Sequence, residues 1–355
     1  MSVETDSYLI IKSALMLMGL VAAFSLFFIR VRRLHRLMMA VEGESDFKYD
    51  RVKERIGVLF KEVIGQSKVR SKGLPGLAHT LIFFGFLAVQ PHSLELMAKG
   101  VCPAFEIAPL APNIYGGFLF MADILAALVL AGLAYALYRR LLVRPNYLTL
   151  GRDANLVILF TAVIIITFHL LNAFQTLLPT PEGISNLGVF PVSGLLVSLF
   201  DLGALSASQV QMGYEIAYWI HMLTILGFLI YIPGSKHLHL LAAAPNVFLK
   251  PLEREKAIVK TDLEDETAET FGLGKVSELH WKNVLGLYAC TECGRCEEQC
   301  PATNTHKPLS PKKLIHDIKA DLLDQADAVL ARNGDAVQPL VREAGEITPD
   351  VLWSC

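Results

Sequence analysis

The chain has 355 residues, 53% hydrophobic and 19% charged, with a mean hydropathy of +0.44. A soluble domain carries about 25% charged residues, so part of this chain reads as lipid-embedded and a single-domain soluble enzyme is disfavoured. A net charge of −2 gives no sign of a nucleic-acid partner, and six cysteines rule out a disulfide-dense secreted scaffold.

Five segments reach the roughly 20 apolar residues a membrane span needs. They fall at about 8–29, 75–98, 114–138, 154–178 and 212–233. The first is too long for a cleaved signal and is followed by Arg30, Arg32, Arg33 and Arg36 rather than a small-residue cleavage site. Between the first two spans, Val52, Ile56, Leu59, Phe60, Val63 and Ile64 form a helical apolar stripe interleaved with Lys53, Arg55, Lys61 and Lys68. This pattern suits an interfacial helix on anionic lipid or a docking surface for the cytoplasmic domain.

Loop charge orients the bundle. Residues 30–74 hold twelve Lys/Arg and 138–153 hold four, against Lys99 alone in 99–113 and none in 179–211. The positive-inside rule then places the N-terminus outside and everything after Pro233 in the cytoplasm. The domains expected are a membrane domain over 1–250, with 30–74 as its interfacial loop, a charged linker over 251–280 and an iron–sulfur domain over 281–355. The fold class expected is an all-α membrane protein of five transmembrane helices followed by a cytoplasmic α-helical ferredoxin-like domain.

Ionisable residues inside spans are costly and usually face the bundle interior. The candidates are His79, His92, His169 and His221, with His237 and His239 just past the fifth span. Two helices that each carry imidazoles at two depths can hold two stacked haems, each iron taking one ligand from each helix. His221 and His239 are eighteen residues apart, about five whole turns and ~27 Å of rise in a straight helix. His237 would point about 160° away from His221, so His239 is preferred, subject to any bend at Pro233. By depth, His79 pairs with His239. The outer ligands are His221 with either His92 or His169; depth favours His169, and a kink at Pro91 would favour His92. Glu95 and Asp123 lie in the outer half. Either is placed to carry quinone-linked protons, or to snorkel or pair with a helix end. Cys102 has no assignable role.

Residues 290–301 read Cys-Thr-Glu-Cys-Gly-Arg-Cys-Glu-Glu-Gln-Cys-Pro, the C-x2-C-x2-C-x3-C-P run of bacterial ferredoxins. Evenly spaced cysteines closed by Cys-Pro distinguish it from the paired knuckles of zinc sites. Cys290, Cys293 and Cys296 wrap one cubane, while Cys300 serves a second. Cys355 is placed as the first cysteine of a second run, so the ligand set for one to two 4Fe–4S clusters is expected to be incomplete within these residues and the iron–sulfur domain truncated.

The spans, the outside N-terminus and the stretch from His221-Met-Leu-Thr-Ile-Leu-Gly to Lys236-His-Leu-His239 resemble the haem-b gamma subunit of respiratory nitrate reductase. So does Gly76-Leu-Ala-His79. That resemblance implies His79, His221 and His239 as haem ligands; the family's outer second-helix ligand would fall at Val89, so His92 or His169 must substitute. The same His79 region together with the cluster run resembles the membrane-bound heterodisulfide-reductase-like iron–sulfur proteins, which include electron-transfer-flavoprotein:menaquinone oxidoreductases. The resemblance implies an oxidoreductase of the bacterial cytoplasmic (inner) membrane, in a respiratory chain. It would move electrons between electron-transfer flavoprotein, or another cytoplasmic redox protein, and menaquinone. The cofactors implied are 4Fe–4S clusters and two b haems, with no acid, base or nucleophile of its own. The alternatives are a quinol-oxidising subunit feeding a heterodisulfide or sulfur-cycle reductase, and a non-redox membrane scaffold with a zinc site.

Overall fold

The structure, a computed structural model, describes residues 2–43, 50–105, 112–179, 190–253, 264 and 272–355. Most of the expected linker 251–280 lies outside these. The helices that position the candidate residues are α1 (Ser2–Met38), α2 (Val52–Leu59), α3 (Leu74–Val101), α4 (Pro112–Tyr138), α5 (Arg152–Leu177), α6 (Pro191–Leu199), α7 (Ala207–Tyr231), α8 (His239–Phe248), α9 (Trp281–Ala289), α10 (Pro311–Asp324) and α11 (Ala326–Leu330). Among the described residues, five helical segments are long and apolar enough to cross a membrane: Ser7–Met38, Leu74–Val101, Ile114–Val143, Arg152–Leu177 and Ala207–Gly234. They coincide with the five spans read from the sequence. Among the described residues, β structure is limited to isolated bridges of Gly43 with His280 and Lys275 with Pro339.

The chain divides into two compact units. The first comprises Met1–Phe27, Lys68–Arg144 and Gly151–Tyr231. Within it α3 packs on α4, α5 on α7, and α6 on both α4 and α5. Small residues let the backbones close up. A Cβ at Gly85 would lie 2.8 Å from the Leu125 carbonyl oxygen, the close approach that small-residue seams permit between membrane helices. Val89, Ala122, Ala126, Val129, Ile165 and Phe168 fill that seam. Elsewhere in this unit Lys12 pairs with Glu215 at 2.8 Å and lies 4.0 Å from the Tyr218 ring centroid. The two charges thus neutralise each other beside an aromatic face.

The second unit comprises Phe28–Ser67, Pro145–Leu150 and Ile232–Cys355. Its core gathers Leu37, Leu238, Ala242, Val276, Val284, Leu322 and Val329. The sequence groups 30–74 with the membrane domain. In the structure, residues up to Ser67 instead join the C-terminal unit, because Leu34, Leu37 and Met38 bury their side chains in its core. Helix α2 is clamped to the end of α8 by the buried Arg55. Its guanidinium donates to the carbonyls of Phe248 (3.0 Å) and Lys250 (2.9 Å) and to the Asp50 carboxylate (3.0 Å). Glu62 pairs with Lys250 at 2.7 Å. The stripe residues Val52, Ile56, Phe60 and Ile64 stay exposed.

The fifth span does not run on as one helix. It ends at Tyr231, gives way to 3-10 turns at Ile232–Gly234 and Lys236–Leu238, and α8 starts at His239. Pro233 supplies no N–H and its ring clashes with the preceding turn; Ser235 then caps the next turn, accepting from the His237 N–H at 3.1 Å. The five-turn register between His221 and His239 therefore does not apply. By contrast, α3 continues through Pro91.

Replacing Arg55 by Leu removes the donor to two part-buried carbonyls and should cost about 1–3 kcal/mol. The expected readout is a lower melting temperature of the detergent-purified chain, with Arg55→Lys recovering only part of the loss because it lacks the fork geometry.

Candidate functional site

Three imidazoles are buried inside the first unit: His92 on α3, His169 on α5 and His221 on α7. Each is anchored through Nδ1. The Thr167 hydroxyl gives its proton to the Val163 carbonyl at 2.6 Å, so its oxygen accepts from His221 Nδ1–H at 2.8 Å. The Nε2 lone pair of His221 then receives the Ser93 hydroxyl at 3.1 Å. The same logic fixes His92. Tyr115 donates to Glu95, leaving its oxygen to accept from His92 Nδ1–H at 3.1 Å. His169 Nδ1 lies 3.1 Å from both Asp123 and Ser193. The Nε2 atoms of His92 and His169 are buried with no hydrogen-bond partner. An Nδ1–H held by a carboxylate, hydroxyl or carbonyl, with Nε2 bare, is how proteins present imidazole to a metal or a proton.

The two carboxylates differ. Asp123 accepts from the backbone N–H groups of Val192 (2.7 Å) and Ser193 (3.2 Å), from the Ser193 hydroxyl and from His169. It caps the N-terminus of α6 from a neighbouring helix, which favours its negative charge. Glu95 sits 3.6 Å from His92 Nδ1 and 3.2 Å from the ammonium of Lys99 one turn on. Ser93, Tyr115, Thr167 and Ser193 are site residues that the sequence alone does not single out; among them only Ser93 carries a cue, standing beside a candidate ligand.

His79 is exposed near the start of α3. In the second unit, His239 opens α8, half-buried, its Nδ1–H donating to the Lys236 carbonyl at 2.9 Å. Burial pushes its imidazole below the ordinary value, which favours the neutral, ligating form. Helix α9 leads into the cysteine run, which turns at Gly294 (φ +79°) where a Cβ would sit 2.9 Å from Tyr147 Cβ. Lys312 braces the run, pairing with Glu297 and donating to the Tyr147 carbonyl, both at 2.8 Å. Lys236 pairs with Glu292, between Cys290 and Cys293, at 2.8 Å. One lysine thus joins the cysteine run to the turn that carries His239.

No three of His, Cys, Asp and Glu converge on one point among the described residues. Four thiolates repel until a cation gathers them, and a metal site forms with its metal. The donor chemistry nevertheless fits a cluster. Burial opposes ionisation of Cys293, yet hydrogen bonds from the Arg295 backbone and guanidinium (3.3 Å) and its charge hold that thiol below its ordinary value. Hydrogen bonds from Thr303 lower Cys300, whereas burial raises Cys290. Cys102 and Cys355 are exposed.

No protein-family profile and no solved structure matches the chain. Its sequence relatives are iron–sulfur-binding oxidoreductases at moderate identity. It is 35% identical over 329 residues to the probable iron–sulfur-binding oxidoreductase FadF of Bacillus subtilis (strain 168), covering 92% of this chain and 45% of that protein. It is 29% identical over 300 residues to the EtfAB:quinone oxidoreductase of Syntrophomonas wolfei, 81% of this chain and 41% of that one. A probable membrane-anchored ferredoxin of Chromohalobacter salexigens is 34% identical over 115 residues, 29% of this chain and 17% of its own. The chain thus spans less than half the length of these curated relatives.

In iron-free protein at neutral pH, alkylation should label Cys293 and Cys300 ahead of Cys290, because a lowered thiol pKa leaves more thiolate. Raising the pH should close the gap as Cys290 ionises. Peptide mass spectrometry over a time course reads the order, and Cys290 reacting first would contradict it.

Proposed function

We propose that this chain is the membrane and first-cluster portion of an oxidoreductase of the bacterial cytoplasmic membrane. It passes electrons between a soluble cytoplasmic donor and menaquinone by way of 4Fe–4S clusters and two b haems. The N-terminus lies outside and the second unit in the cytoplasm. The observation that carries this reading is Lys236, whose carbonyl orients the His239 imidazole while its ammonium pairs inside the cysteine run. Imidazole and thiolate donors built into one turn-and-loop assembly suit electron transfer between two centres. The relative named EtfAB:quinone oxidoreductase supports electron-transfer flavoprotein as donor and a quinone as acceptor.

The thiolates of Cys290, Cys293 and Cys296 would hold one cubane and Cys300 would serve a second. Cys355 is proposed as a further ligand. A b haem or a cubane supplies a one-electron couple that side chains lack; the residues supply ligands, fixed tautomers and a dry surrounding. Arg295 stabilises thiolate charge at Cys293. For the inner haem, His79 and His239 are proposed from the sequence resemblance. For the outer haem, the partner of His221 is His92. His221 Nε2 meets α3 at Ser93, one residue from His92 and about 100° around that helix from it, and His92 Nε2 is bare. Thr167, which orients His221, is two positions from His169, about 200° around α5, so His169 faces away from His221.

His221→Ala and His92→Ala should each remove the same haem, about half of the b-type absorbance, while leaving the cluster signal in low-temperature paramagnetic resonance. Cys296→Ser should do the reverse. Full haem content in His92→Ala would sink the pairing.

A further inference from the structure

His169 is left without a task by this assignment, and its surroundings are built with care. It is 2% exposed, held by Asp123 and Ser193 through Nδ1, and its Nε2 has no partner. Three residues on, hence on the same face of α5, Asn172 is 0% exposed and neither its amide nitrogen nor its oxygen is hydrogen-bonded. Folded proteins rarely leave such groups unsatisfied, and a cluster of them marks a missing partner. Three orphaned polar atoms on two successive turns, inside an apolar bundle, call for a partner with two hydrogen-bonding ends.

We infer that His169 and Asn172 bind the headgroup of a quinone, one ring oxygen on His169 Nε2 and the other on the Asn172 amide. This deepens the proposed function and rests on its quinone reading. Two residues three apart on a helix have Cβ atoms about 5–6 Å apart, close enough for both side chains to reach one headgroup. The bare Nε2 lone pair accepts the O–H of the reduced headgroup, and the Asn172 amide either donates to or accepts from the opposite oxygen. Asp123 is a positioning residue. By capping α6 and accepting a hydrogen bond from His169 Nδ1–H, it fixes the tautomer that leaves Nε2 bare.

The test is fluorescence titration of the quinol analogue heptyl-hydroxyquinoline N-oxide into the purified, haem-loaded full chain, with b-haem content measured on the same samples. His169→Gln should keep the full b-haem absorbance and weaken binding of the analogue about tenfold to a hundredfold. Asn172→Leu, which keeps the side chain's bulk, should weaken it about tenfold, again with haem retained. Loss of a haem from His169→Gln would make His169 an iron ligand and overturn the inference. Unchanged binding in both variants would overturn it too, leaving ordered water as the partner of these atoms. If the wild-type chain binds no analogue, the quinone reading itself falls.

Discussion

Everything in the membrane unit depends on one cost: a polar group inside an apolar bundle must be met by another polar group. The unit meets it between helices. Thr167 on α5 accepts from the Nδ1–H of His221 on α7; Tyr115 on α4 accepts from that of His92 on α3; Asp123 on α4 accepts from that of His169 on α5. Each bond satisfies the Nδ1 side and fixes the tautomer, which leaves the Nε2 lone pairs of His92 and His169 bare and that of His221 facing the Ser93 hydroxyl. The bonds that keep the imidazoles from destabilising the bundle are therefore the bonds that make them usable as ligands or proton acceptors.

The second unit faces a different problem, the charge around its cysteine run. Its cysteine run is bordered by cations: Arg295 at Cys293, Lys236 at Glu292 and Lys312 at Glu297. Lys236 has a double role, because the same residue orients His239. If the proposed cofactors bind, motion or loss of that turn would disturb both of them, which ties iron–sulfur and haem chemistry to a single local structure.

The spans are legible in the sequence because twenty apolar residues leave a helix few alternatives, and the structure returns all five, the first running nine residues further, to Met38. The fifth span also shows the limit. Equal spacing of His221 and His239 assumes an unbroken helix, and Pro233 ends it after Tyr231. The choice between His92 and His169 is illegible for a similar reason. Depth along the chain suggests His169, whereas the proposal of His92 rests on which faces of α5 Thr167 and His169 occupy, a relation that needs the neighbouring helices. Asn172 stands out in no charge-based reading because it is neutral, although a buried amide in an apolar span carries a comparable obligation. Lys12 and Glu215 are equally silent in the sequence because they cancel only across helices.

The most direct measurement is haem, iron and acid-labile sulfide per chain in the purified full-length polypeptide, with the reduced optical spectrum. The result expected is about two b haems per chain and iron in excess of haem, matched by sulfide. A purified chain with no b-type bands and no sulfide would contradict the assignment of the imidazoles and thiolates alike.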